Sequence, residues 1–131
     1  MTPRTHLGIN PHLCGTPTSL SEGVAAVTLK TTPEMAADDQ GLVHGGFVFG
    51  LADYAAMLAV NDPLVVLGAA NTRFLAPVRV GDTVVAHATC TDQKGRKHTV
   101  SVSVVAGDTV VFTGEFTTFV LDQHVLSSTH A

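Results

Sequence analysis

A single carboxylate, Asp53, sits inside an otherwise apolar run at residues 44–60, HGGFVFGLADYAAMLAV. Phe47, Val48, Phe49, Leu51, Ala52, Ala55, Ala56, Met57, Leu58 and Val60 go all round a helix. A helix that is hydrophobic on every side is a buried one. A carboxylate buried there either finds a specific partner or shifts its pKa, so Asp53 is a candidate general base or nucleophile. The run opens with His44-Gly45-Gly46. The first turn of a helix has free backbone N–H groups and the positive end of the helix dipole. Glycines there let a carbonyl approach closely. An acid that attacks or activates water, together with an amide that receives a developing oxyanion, is what hydrolysis of an acyl bond requires. His44 stands beside them as an orienting residue.

The spacing constrains how these groups work. Gly45 and Asp53 are eight residues apart, roughly 12 Å along one helix. One carbonyl cannot lie within about 3 Å of both, as catalysis requires. If both serve one substrate, they come from different subunits, with His44, Gly45 and Gly46 from one chain and Asp53 from its partner. Other nucleophiles lack a setting. Cys14 falls in the N-terminal segment, Cys90 in a strand, and no Gly-x-Ser-x-Gly elbow is present. No histidine spacing supports a metal site, and none is expected. Of seven Lys and Arg residues, Lys94, Arg96 and Lys97 cluster beside His98, with Arg73 and Arg79 about the preceding strand. The 94–98 cluster, with Arg73 second, is the expected contact for an anionic substrate. Strand alternation puts Ala70, Thr72 and Phe74 on one face and Asn71, Arg73 and Leu75 on the other. Asn71 or Thr72 can hydrogen-bond substrate or water, depending on which face meets the site. Tyr54, Met57 and Phe74 are candidate pocket walls.

These residues need elements to hold them. Residues 1–19 are rich in Pro, Gly and Thr and read as a loosely ordered lead-in; residues 20–131 read as one domain. Residues 20–31 are expected as a first strand, 32–43 as a loop opened by Pro33, and the helix as running from near Gly45 to Asn61-Asp62-Pro63, where proline stops it. Strands follow at 64–75 (interrupted at Gly68), 83–92, 97–105 and 109–121. The joints are Gly81-Asp82, Lys94-Gly95 and Gly107-Asp108, and Val and Thr dominate, as strands prefer. The order β-α-β-β-β-β, ending in an antiparallel meander, predicts an α+β fold. A curved sheet wraps a central helix and a second subunit completes the cover.

Composition narrows the function. The chain has 131 residues, 45% hydrophobic and only 14% charged, enough for one core and poor in charged surface, so part of the surface is expected against another subunit. The net charge of −4 argues against a nucleic-acid partner. The apolar run is too short and interrupted for a membrane span. The first residues lack a signal peptide's apolar core, and two cysteines make no disulfide framework. A cytoplasmic protein is expected.

Pro33-Glu34-Met35, Gly41, His44-Gly45-Gly46, Phe49 and Leu51-Ala52-Asp53 together resemble the signature of the hotdog-fold acyl-CoA thioesterases, in particular the phenylacetic-acid-pathway branch. Phe74-Leu75-Ala76-Pro77-Val78, Gly81-Asp82 and Gly95-Arg96 are similar to that branch's downstream pattern. The resemblance spans about residues 20–121. It implies a homodimer, often paired into a tetramer, that hydrolyses a thioester to a free acid and coenzyme A. Asp53 would be base or nucleophile, the Gly45 amide would polarise the carbonyl, and His44 would shape the site. Coenzyme A enters as part of the substrate, with no separate cofactor. Many members carry Asn six residues before the His, where this chain has Asp38, and the linker after Met35 is one residue longer. Asp38 is thus a candidate substrate contact, with Asp39 and Gln40 beside it. The fluoroacetyl-CoA thioesterases are also similar here, but their catalytic His would fall near Thr72. The expected activity is acyl- or aryl-CoA hydrolysis. The alternatives are a hydratase or dehydratase of the same fold, whose His–acid pair is not seen here, and a non-catalytic acyl-CoA-binding module. The latter needs an effector domain, for which the chain is expected to have no room.

Overall fold

The computed structural model describes residues 1–127. Its elements are α1 (Pro11–Cys14), β1 (Thr16–Ser21), β2 (Val24–Lys30), α2 (Gly45–Val60), β3 (Val65–Phe74), β4 (Thr83–Lys94), β5 (Lys97–Ala106) and β6 (Thr109–Val120). The strands form one antiparallel sheet in the order β1-β2-β4-β5-β6-β3. Alternation makes one sheet face apolar. Ala25, Val27 and Leu29 of β2, Val84, Ala86 and Ala88 of β4, and Val100, Val102 and Val104 of β5 are all buried. Phe112 and Phe116 of β6 extend this face. Helix α2 lies in it. Ala52, Ala55 and Ala56 let helix and sheet approach, while Leu51, Met57 and Leu58 fill the remaining space. Burying each of these larger side chains contributes roughly 1.5–3 kcal/mol. A single long helix held by a curved antiparallel sheet is the hotdog arrangement, as the sequence predicts. No helix among the described residues is long and apolar enough to cross a membrane.

The N-terminal third differs from expectation. The span 20–31 is not one strand: it is broken at Glu22-Gly23, and its first two residues end β1, which begins inside the expected lead-in. Its sequence, TPTSLS, hides this strand because it is an edge strand with little to bury. Pro17, at an irregularity in the β1–β2 register, fits such an edge. Residues 1–15 are also ordered, as a strap along α2. Asn61 takes the left-handed conformation that ends α2 (φ 53°), two residues before the proline expected to stop it. Its side chain accepts from the Arg4 amide (2.7 Å) and donates to the Thr2 carbonyl (3.0 Å). The His6 ring lies 6.2 Å from the Tyr54 ring, and burial lowers the His6 pKa. Asn10 then caps α1, with Pro11 in its first turn. At the buried Gly15 (φ +100°) a Cβ would stand 2.8 Å from Val27 and 2.9 Å from Leu51. Only glycine lets the chain tuck between β2 and α2 there. The strap therefore supplies helix cover that was expected from a second subunit.

Two turns also move. The β4–β5 hairpin turns at Gly95-Arg96, since Lys94 pairs with Lys97. Gly81-Asp82 is no hairpin: β3 and β4 lie apart in the sheet, and the Asp82 carboxylate instead accepts from the Arg79 amide (2.9 Å).

Candidate active site

Helix α2 starts where the Pro33–Met35 turn and the 36–43 loop deliver it. The His44 amide donates to the Met35 carbonyl (2.9 Å) and Val43 bonds the Val78 carbonyl (2.9 Å). No side chain caps the helix, so the Gly45 and Gly46 amides stay free for a ligand. The two glycines admit close neighbours rather than unusual dihedrals. A Cβ on Gly46 would stand 2.9 Å from His44 Nε2, so the imidazole folds over Gly46. A Cβ on Gly45 would stand 3.1 Å from Phe74 Cε1, so the Phe74 ring lies over Gly45. Around Gly45 a cleft of about 340 Å³ is lined by Leu42, Val43, Val48, Phe74, Leu75 and Val111, among others. An apolar cleft with one set of free amides at its wall suits an acyl carbonyl.

Asp53 does not line that cleft. It lies two turns further along α2, on a stripe its own chain leaves open. Gly46 on that stripe is exposed, and a Cβ on Gly50 would meet nothing within 4 Å. Asp53 is half-buried, and its Oδ1 is fully enclosed with no hydrogen-bond partner. Burial pushes its pKa from 3.8 up to about 6, because removal from water disfavours the charged form. The free Gly45 and Gly46 amides and the acid are thus separate within one chain, as the spacing requires.

The other predicted residues fall into two groups. Thr72 and Phe74 point to the helix side of β3: Phe74 reaches Gly45, and Thr72 Cγ2 packs on Gly114. Alternation then sends Asn71 and Arg73 to the outer face, where both are exposed and register with Glu115 and Thr113 of β6. Asn71 and Arg73 are thus not gathered at their own chain's cleft. Nor are Lys94, Arg96 and Lys97. Lys97 pairs with Phe119, whereas the cleft is at Val111; eight residues of β6 separate them, roughly 26 Å. Arg96 pairs with Asp122 at 2.5 Å, both well exposed. His98 instead turns its Nδ1 to Cys90 Sγ at 3.7 Å. Asp38 works locally: its exposed carboxylate accepts from the Gln40 (2.9 Å) and Leu42 (3.2 Å) amides and shapes the loop into α2.

Sequence reasoning missed the cleft walls Leu42, Leu75 and Val111, and it set Cys14 aside. Cys14 ends α1 and packs against the core. Burial and then the Asp53 charge raise its pKa. Asn10-Pro11 as helix start and Gly15 as stop were the available signal.

Comparison with known proteins agrees with this architecture. The thioesterase superfamily profile matches residues 40–113. The chain belongs to the thioesterase superfamily, and its fold and neighbours fit the phenylacetic-acid-pathway type within it. It is 51% identical to the uncharacterized protein PH1136 from Pyrococcus horikoshii, whose crystal structure superposes with a TM-score of 0.96 over 97% of this chain and 98% of that one. The Escherichia coli PaaI protein from the phenylacetic acid degradation operon superposes with a TM-score of 0.78 at 29% identity, over 86% and 83%. Two curated relatives are longer. A methylthioribose-1-phosphate isomerase from Aquifex aeolicus is 55% identical over 120 residues, 91% of this chain but 26% of the isomerase. The transcription factor FapR from Thermoanaerobacter sp. is 33% identical over 85 residues, 65% of this chain and 42% of the factor. The chain thus spans about a quarter and about two fifths of these relatives.

Proposed function

We propose that the protein is an acyl-CoA thioesterase acting as a homodimer, with Asp53 of one subunit facing the Gly45 amide of the other. The observation that carries this is the Asp53 carboxylate, half-buried with one oxygen unpartnered, on a helix stripe left open by its own chain. In the general-base route Asp53 takes a proton from water and the hydroxide oxygen bonds to the thioester carbon. The carbonyl electron pair moves to oxygen and is held by the Gly45 N–H. The tetrahedral intermediate collapses, the C–S bond breaks, and the coenzyme A thiolate takes up the proton. In the nucleophilic route the carboxylate itself bonds to the carbon, thiolate leaves, and water hydrolyses the mixed anhydride. Single turnover in H₂¹⁸O tests the nucleophilic route, since ¹⁸O enters Asp53 only when water attacks the Asp53 carbonyl of that anhydride. His44, folded on Gly46, keeps the amide turn open and uncapped.

The family's thiol-releasing chemistry and the coenzyme A seen with a fold neighbour from Streptococcus pneumoniae support this substrate class. The phosphates of coenzyme A would meet the partner's end of the sheet, where Lys94 and Lys97 lie exposed. The test is thiol release over a panel of short, long and aryl acyl-CoA thioesters, with Asp53→Asn and Asp53→Ala beside the wild type. Turnover of a panel member, lost in both variants while the fold persists, is expected. Near-normal rates in the variants would remove Asp53 from the mechanism. The likeness to a transcription factor favours a second reading, a non-catalytic acyl-CoA-binding module. It predicts saturable binding with no thiol release by the wild type.

A further inference from the structure

Cys90 and His98 meet on the side of the sheet that faces α2, where the buried core ends. Alternation carries them there. In β4 Ala86 and Ala88 are buried against the helix, and Cys90 is the next residue of that series; in β5 Val102 and Val100 are, and His98 is the next. The β4–β5 register shifts between Cys90 and Asp92, a bulge of the kind that re-aims side chains. Cys90 Sγ lies 3.7 Å from His98 Nδ1. The buried Thr118 hydroxyl donates to the His98 carbonyl (3.1 Å) and holds that backbone in place. The Cys90 amide donates to the Gly23 carbonyl (2.7 Å). Gly23 (φ +76°) adds no side chain beside it; a Cβ there would meet Cys90 Cβ at 3.7 Å. Thiol and imidazole both line a cleft of about 360 Å³, distinct from the one at Gly45, whose other walls include Ala59 and Val60 at the end of α2, Glu22 and Asp92. Cys14, half-buried too, makes no hydrogen bond to a histidine among the described residues.

We propose that Cys90 undergoes thiol–disulfide exchange in this cleft, with His98 as its proton acceptor and small cationic disulfides as the reagents it takes. Burial raises the Cys90 pKa, so the thiol holds its proton. Only a thiolate attacks a disulfide, and the step therefore needs a base at the sulfur. His98 Nδ1 takes the thiol proton. Cys90 Sγ bonds to one sulfur of the disulfide, the S–S bond breaks, and the second sulfur leaves as thiolate. The imidazolium returns the proton to it. The products are a mixed disulfide on Cys90 and one free thiol, with no further oxidant or reductant. Charge selects the reagent. Glu22 and Asp92 line the cleft, and among the described residues no Lys or Arg does. Arg4 and Met1 line an adjoining cleft on the other side of Glu22 and Gly23. A cationic disulfide is drawn in and an anionic one repelled.

The experiment treats the full chain with cystamine and, separately, with oxidised glutathione. Modification of each cysteine is followed by peptide mapping and mass spectrometry, and each rate is divided by that of N-acetylcysteine amide with the same reagent. With cystamine, Cys90 is expected to react about tenfold faster than Cys14 or more. At Cys90, cystamine is expected to outpace oxidised glutathione about tenfold. His98→Gln is expected to slow Cys90 about tenfold and to leave the Cys14 rate unchanged. Glu22→Gln combined with Asp92→Asn is expected to remove the preference for cystamine while Cys90 still reacts. Modification of Cys90 no faster than of Cys14 would overturn the proposal. So would a Cys90 rate that His98→Gln leaves unchanged, with circular dichroism showing the variant folded. Oxidised glutathione reacting as fast as cystamine would overturn the assignment of a cationic reagent.

Discussion

Asp53→Asn should stabilise the protein at pH 8 and do so far less at pH 4. The sign follows from the direction of the shift. In the unfolded chain Asp53 ionises near 3.8; in the folded chain burial holds it to about 6. The unfolded state therefore loses its proton first as pH rises. Folding is penalised progressively from pH 4 to pH 6, and the full penalty persists above pH 6. The interval between 3.8 and about 6 corresponds to about 3 kcal/mol at 1.36 kcal/mol per pH unit. Asp53 keeps some contact with solvent, so screening reduces this to about 2 kcal/mol. At pH 4 only about 0.5 kcal/mol has developed. Asparagine has nearly the same shape and no charge. Its other effects on packing and hydrogen bonding do not depend on pH and cancel when the two pH values are compared. Urea unfolding of wild type and variant, at one fixed protein concentration because an oligomer's stability depends on it, gives the four free energies. The variant's advantage at pH 8 should exceed that at pH 4 by about 1.5 kcal/mol. An equal difference at both pH values would refute the view that Asp53 is held against its preference for water.

The same group predicts the activity profile: kcat/KM should fall about tenfold per pH unit below about 6, where the base is protonated, and an acid limb near pH 4 would contradict it. Asn61→Ala removes both bonds to Thr2 and Arg4 and the left-handed cap. It should lose about 1–3 kcal/mol and expose residues 2–15 to hydrogen exchange, whereas Asn61→Gly should show the strap effect with less loss of stability. Mixing inactive Asp53→Ala with inactive Gly45→Leu subunits should restore activity to about a quarter of wild type, since half the dimers are mixed and each then holds one intact site of two. No gain over the parents would place both groups in one subunit's site.

What the sequence revealed followed the size of its signals. Helix α2 was legible because its sixteen residues are apolar all round with a single charge among them, and β4, β5 and β6 because they are rich in Val and Thr between turn residues, with valine alternation at 100, 102 and 104 of β5. The strap and β1 were not, since their order is carried by single contacts: an asparagine side chain on two backbone groups, and a glycine wedged between Val27 and Leu51. Pattern reading detects burial, and TPTSLS buries almost nothing. The candidate site residues divide in the same way. Asp53 and the paired glycines stood out by contrast with their surroundings. Asn71, Arg73 and the 94–98 cations were chosen by chemical type alone, and the sheet register then put them on the outer face or at the far end of the strands.

The cover of α2 explains why the acid ended half-buried. The sheet takes one side of the helix and the strap takes another, leaving Gly46, Gly50 and Asp53 as the open stripe. Beside it are the exposed Phe74, Leu75 and Leu42, and β3 is a sheet edge whose unpaired backbone groups favour another strand. A second copy on this side would act on Asp53 in two opposing ways. Burial under the partner removes more water and raises the pKa further. The first turn of the partner's α2 brings uncapped amides and the positive end of a helix dipole, worth about 0.3–2 kcal/mol toward the carboxylate form. In the proposed dimer the second effect offsets the first, so the amide turn that receives the substrate's oxyanion also keeps the partner's acid ionisable near neutrality. When a carbonyl oxygen occupies that turn, the offset weakens and Asp53 becomes a stronger base at the moment it must take a proton.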